Sequence, residues 1–351
     1  MLENPNRTEL SSLGEFGLIK HLTEKIKIQN ASTIKGVGDD SAVIEFKENC
    51  TLVSSDMLVE GVHFNLAYCP LKHLGYKAAT VNFSDIYAMN GTPRQLLVSI
   101  AASNRFSVEA LEELYSGILL ACENYEVDLA GGDTSTSPSG LILSLTAIGE
   151  AVKEEVVYRN TARENDLICV SGDLGAAYIG LQILERENKI FMENPKIQPD
   201  LEGHDYVLER QLKPEAGKEV IKTLKKLNIK PTSMIDVSDG LASEIIHLCT
   251  QSDKGCSIYE EKIPMDAVSF NEARELGMDA TICALNGGED YELLFTISQM
   301  DYEKIKEAKG ISVIGHITNK NAGINMISKS GAQLTLTAQG WDAFLKRKEG
   351  T

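Results

Sequence analysis

Apolar and polar positions along this chain switch repeatedly between two periods. TLVSSD (51–56), QLLVSIAAS (95–103), LILSLTAIGE (141–150) and DLICVSGD (166–173) are short runs rich in Leu, Ile and Val, partly alternating, and read as strands. Between them lie stretches of helical spacing: EFGLIKHLTEKI (15–26), LKHLGYKAATVNFSDIYAM (71–89), SVEALEELYSGILLACENY (107–125), GAAYIGLQILERE (175–187), AGKEVIKTLKKLN (216–228) and LASEIIHLC (241–249). In the third of these, Ser107 is placed to cap the helix, and Leu111, Leu114, Ile118 and Cys122 share one face. The alternation predicts an α/β (α+β) chain. The polar stretch YRNTAREND (158–166) marks the divide between two α/β units, an N-terminal one over 1–150 and a C-terminal one over 151–351. RENKIFMENPKIQPDLEGHDY (186–206) reads as a loop or lid.

Composition acts mainly by exclusion. Lys and Arg number 34 against 51 Asp and Glu, a net charge of −17, which disfavours both a phosphate backbone and an anionic membrane as partner. The seven cysteines are odd in number and form no C-x-x-C pair, so they read as reduced, buried thiols. MLENPNRTEL has no apolar core of the signal-peptide kind, and no stretch is long and apolar enough to span a bilayer. The expectation is a cytoplasmic chain with no nucleic-acid or membrane partner.

The chemistry concentrates in acidic loops. KGVGDDSAVI (35–44) sets Asp39 beside Asp40, and the theme recurs at Asp56, Asp85, Asp133, Asp173, Asp239, Glu289 and Asp290, each after Ser or Gly or next to another acid, and at Asp236 in DVSDG. Any one of these could be turn or N-cap chemistry: Asp173 could cap a helix starting at Gly175, and Ser238 and Asp239 one starting near Leu241. If the loops converge, carboxylates at about 4 Å repel by roughly 4 kcal/mol per pair, which calls for cations or protons. Hard oxygen ligands on glycine-relieved loops suit Mg²⁺ shared with substrate phosphates. The phosphate-binding motif G-x-x-x-x-G-K-[ST] and the protein-kinase motifs are absent, so charge on a polyphosphate would fall to metal ions.

GVGDDSAV, SSDMLVEGVHF, AATVNFSDIYAMNGTP, AGGDTS, VSGDLGAA, IDVSDGLASE and NGGEDYELLFT, in this order, resemble the thiamine-monophosphate kinases, within the superfamily of aminoimidazole ribonucleotide synthetases. The resemblance runs from about Gly14 to Trp341. It implies ATP-dependent, Mg²⁺-dependent phosphorylation of thiamine monophosphate to thiamine diphosphate. It also implies an N-terminal domain whose strands form a barrel across a homodimer, with the active site between that domain and a C-terminal one. Carried over position by position, it implies metal ligands at Asp39, Asp56, Asp85, Asp133, Asp236 and Asp239, with Ser54 and Ser55 lending oxygens. Gly132, Asp133, Arg159 and Ser238 correspond to ATP contacts, and His63, Glu289 and Trp341 to substrate contacts. A tryptophan face would suit the cationic thiazolium. Relatives often carry a basic residue soon after GGDT; here the run is Thr134-Ser135-Thr136-Ser137-Pro138. Selenophosphate synthetase and the hydrogenase-maturation relative fit less well, because the cysteines they require near the start and the end are missing. A non-catalytic thiamine-phosphate sensor is the alternative from another class.

Overall fold

A computed structural model describes residues 33–35, 39–46 and 49–338. The expected helix over 15–26 and Trp341 lie outside the described residues, as do Gly36 and Gly38. In the first half, strands β1 (Thr33–Lys35), β2 (Ala42–Phe46) and β3 (Asn49–Val59) precede helix α1 (Leu71–Ala88), β4 (Thr92–Ala102), α2 (Val108–Tyr125), β5 (Asp128–Thr136) and β6 (Leu141–Val152). The second half opens with β7 (Leu167–Ser171), α3 (Ala176–Glu193), α4 (Asp205–Leu212), α5 (Lys218–Lys226), β8 (Ser233–Asp236), α6 (Leu241–Gln251) and β9 (Lys254–Tyr259). It closes with α7 (Ala267–Glu275), α8 (Ala280–Asn286), β10 (Leu293–Ile297), α9 (Tyr302–Ile305), β11 (Ile311–Asn319), β12 (Ile324–Ile327) and β13 (Gln333–Thr335).

Two sheets result. The first has six strands in the order β1-β2-β3-β6-β4-β5, antiparallel except for β4–β5; the second has seven in the order β13-β12-β9-β11-β7-β10-β8, antiparallel except for β12–β9. The fold class is therefore mixed α and β with mostly antiparallel pairing. Within one chain the described part of the first sheet is open, running from β1 to β5 without closing into a barrel.

Strand alternation decides what each face carries. On β6 the residues Leu141, Leu143, Leu145 and Ala147 are buried while their neighbours are only partly so, and on β4 Leu96, Val98 and Ile100 follow the same rule. These faces pack on α1, against which α2 packs in turn. Helix α2 is capped as expected, Ser107 accepting from the Ala110 N–H at 3.2 Å. The two helices cross closely because each presents a glycine: a Cβ on Gly75 would lie 2.0 Å from the Leu114 carbonyl oxygen, and one on Gly117 would lie 1.9 Å from that of Lys72. The apolar core built here continues through Met234, Leu293, Phe295 and Ile297, so the two sheets share it.

Two local expectations change. The 186–206 stretch is not all loop: α3 runs on to Glu193, because its helical periodicity persists until Pro195 forbids a further turn. Neither proposed aspartate cap forms. The N–H of Gly175 is met by the Asp290 carboxylate at 2.9 Å, not by Asp173, and Gly240 begins α6 without a side-chain cap. All seven cysteines are buried and unpaired. No described helix is long and apolar enough to cross a membrane.

Candidate active site

Acidic residues converge from both halves. Asp39, Asp40 and Ser41 form a bend just before β2; Ser54 and Asp56 lie on β3; Asp85 closes the last turn of α1. From the other half come Asp236 at the end of β8, Ser238 and Asp239 in the following loop, and Glu244 and His247 on α6. These residues and Arg159 line a cavity of about 520 Å³. One oxygen each from Asp40, Asp85 and Asp236 can be chosen so that all three lie within 4.8 Å of one another.

Burial makes this arrangement electrostatically demanding. The Asp85 carboxyl is pushed well above the usual range, first by burial and then by the charges of Asp56, Asp236 and Asp40. Burial and then Asp236 lift Asp56 to about 6. Asp40 is raised well above the usual range and Asp39 and Asp236 are raised, again by burial, against the opposing pull of Arg159. The Arg159 guanidinium pairs with Asp40 and reaches Asp39 at 3.3 Å; the pull of those two charges outweighs its own burial and lifts its pKa. Ser54 donates to Asp85, and Ser84 donates to Asp236 at 2.6 Å. Asn82 accepts the Asp56 N–H at 3.1 Å, while Asp56 Oδ2 is buried and takes part in no hydrogen bond. An all-oxygen donor set with an unmet buried carboxylate oxygen fits a hard divalent cation.

Not every residue singled out in the sequence joins this cavity. Ser55 lines it, yet its hydroxyl turns to the opposite face of β3, bonded to the Leu145 carbonyl at 3.0 Å and to Thr146, because side chains alternate along a strand. Gly132 and Asp133 lie on β5, exposed and outside the lining. The row Asp56–Leu145–Val98–Gly132 crosses three strand spacings, about 14 Å at roughly 4.8 Å each. His63 sits in the turn after β3, its Nδ1 accepting the Val59 N–H at 3.0 Å. Glu289 lies beside the cavity, paired with Lys77.

Other members were missed in the sequence. Asp40, read only as half of a pair, belongs to the three-carboxylate cluster. Glu244 is 1 % exposed and accepts the Ser238 and Asp239 N–H groups at 3.2 and 2.7 Å, fixing that loop; burial and then Asp239 hold its carboxyl well above the usual range. The available signal lay in α1, where Lys77, Thr80, Asn82 and Ser84 interrupt an apolar helix; buried polar groups need partners.

Two mostly antiparallel sheets with a carboxylate pocket at their junction define the class. Residues 38–151 match the family model described as AIR synthase related protein, N-terminal domain. The chain is 31% identical to the thiamine-monophosphate kinase of Bacillus subtilis, over 95% of this chain and 100% of that protein, and 33% identical to that of Aquifex aeolicus, over 87% and 96%. A solved structure described as AaThiL complexed with AMPPCP and TMP superposes with a TM-score of 0.80 at 30% identity, covering 96% of this chain and 99% of that one. This chain belongs to the thiamine-monophosphate kinase family.

Proposed function

We propose that this chain transfers the γ-phosphoryl group of ATP to the terminal phosphate of thiamine monophosphate, giving thiamine diphosphate and ADP. The observation that carries the reading is the Asp40, Asp85 and Asp236 cluster, drawn from both halves of a chain that belongs to this family. Bound Mg²⁺ would screen these carboxylates and neutralise charge on the reacting phosphates. Asp39, Asp56 and Asp239, which line the same cavity, complete the ligand set, with Ser54 beside them. The acceptor is a phosphate monoester with a second pKa near 6, mostly a dianion at neutral pH, so it needs no general base. The chain's task is in-line positioning, and no phosphorylated enzyme residue is formed.

Arg159 is placed to pass from Asp40 to a nucleotide phosphate, next to Ser238. Gly132 and Asp133 contribute to a nucleotide site from the exposed strand β5, and His63, Glu289 and Trp341 to the thiamine phosphate. A homodimer supplies what one chain leaves open. The face of the first sheet away from α1 and α2 exposes Met57 and Leu97, and a second copy laid against it would close the strands into a barrel. We place the unit division at 1–150 and 151–351, and the enzyme in the cytoplasm.

The test is ADP release by the full chain with thiamine monophosphate, ATP and Mg²⁺. Turnover that requires all three supports the kinase. Tight binding of thiamine monophosphate with no ADP release would instead identify a sensor.

A further inference from the structure

Lys77 is a buried lysine in the middle of α1, 4 % exposed. Its ammonium donates to the Gln211 carbonyl oxygen at 3.0 Å and to Glu289 Oε2. The other carboxylate oxygen of Glu289 accepts from the Tyr291 hydroxyl at 3.1 Å, and the Glu289 N–H donates to the Ser238 carbonyl at 2.7 Å. The backbone here is held in a costly conformation: Glu289 and Tyr291 have φ of 62° and 51°, left-handed values that residues other than glycine seldom adopt.

A stability role alone explains this poorly. The desolvation of a buried lysine and its partner offsets most of their attraction, and an apolar side chain of equal length would fill the space as well. What the pair does provide is a fixed carboxylate whose side chain remains 32% exposed. With Lys77 behind it the pair is net neutral. It therefore offers acceptor lone pairs to an N–H donor and exerts little attraction on a cation.

We propose that Lys77 is a positioning residue for the thiamine-monophosphate site. It orients Glu289 to accept a hydrogen bond from the exocyclic amine of the substrate's pyrimidine. This inference rests on the proposed function, in which Glu289 meets the substrate. The thiazolium charge is left to other groups.

The test is steady-state kinetics of the full chain with thiamine monophosphate and with oxythiamine monophosphate, in which a carbonyl replaces the amine. The wild type should favour the amine by about 100-fold or more in kcat/KM, as expected of a site built around one hydrogen bond. Lys77→Met, matched in length, and Lys77→Gln should raise KM for thiamine monophosphate about tenfold or more, with kcat within about threefold, and should erode the preference. Lys77→Arg should restore part of it. KM for ATP should stay unchanged, which a misfolded site would not allow. A fall in kcat at constant KM, or an intact preference in both variants, overturns the inference. Glu289→Gln separates the two levels. If it raises KM while the Lys77 variants do not, only the role of Lys77 fails; if it leaves KM unmoved, the substrate assignment of Glu289 fails with it.

Discussion

Ser84 on α1 donates to Asp236 Oδ2 at 2.6 Å, tying the helix beneath the first sheet to the last residue of β8, at the end of the second. This bond joins the two halves at the carboxylate cluster itself. Ser84→Ala would leave a buried carboxylate oxygen short of a donor, a loss of about 1–3 kcal/mol. We expect a lower thermal midpoint in the presence of a chelator and a reduced kcat. An unchanged midpoint by calorimetry would mean that Asp236 finds another donor.

Asp56→Asn should separate stability from activity. Burial and Asp236 raise the folded-state pKa of Asp56 from the ordinary 3.8 to about 6. An acid raised in this way favours its protonated form, so its stabilising contribution is full below about 4 and is lost as pH rises through about 6. Asparagine mimics the protonated form. Near pH 8 the metal-free variant should be more stable than wild type by on the order of 1–3 kcal/mol. Turnover should fall by at least about 100-fold, the scale of losing one preorganised electrostatic group. Denaturant titration and ADP release check the two halves of this prediction. Normal turnover would remove Asp56 from the metal site.

The recurring acidic motifs were legible in the sequence, and Asp56, Asp85 and Asp236 do meet in one cavity. They do so from β3, α1 and the end of β8, not from the tight turns that Gly or Ser beside Asp suggests. The resemblance named Asp39 and passed over Asp40, whereas both line the cavity and Asp40 joins the three-carboxylate cluster. Where two adjacent side chains end up depends on how the bend enters β2, which spacing does not encode. The same limit applies to Ser54 and Ser55: alternation separates their side chains, but the register that assigns each face comes from pairing β3 with β6. Cap chemistry was misread at Asp173 because the donor at Gly175 is satisfied from residue 290, far along the chain. Helices α1 and α2 and the central strands were plain, since local periodicity and core burial agree there.

Gly117→Ala tests the helix crossing that carries Asp85 and Lys77. The added methyl would need the space now occupied by the Lys72 carbonyl, 1.9 Å away, so α1 and α2 must separate. Overpacking of this kind costs roughly 1–3 kcal/mol or more. We expect a lower thermal midpoint together with weaker Mg²⁺-dependent activity, because the backbone under the site moves. A stable variant with full activity would show that the crossing absorbs the methyl without displacing α1.

The pH dependence of stability should carry a signature of Asp290. This carboxylate is 1 % exposed and accepts the Gly175 N–H at the start of α3. Burial pushes its pKa from 3.8 up to about 7, against the opposing pull of Arg210 and of the Gly175 N–H. Between about pH 4 and pH 7 the folded chain therefore holds a proton here that the unfolded chain has lost. With more protons bound in the folded state, unfolding free energy falls as pH rises across that window. Asp290→Asn keeps an oxygen to accept from Gly175 but cannot ionise. Its unfolding free energy, measured by urea titration near pH 5 and near pH 8, should decline less than that of wild type. Identical declines would mean that Asp290 ionises in the folded chain as readily as in the unfolded one.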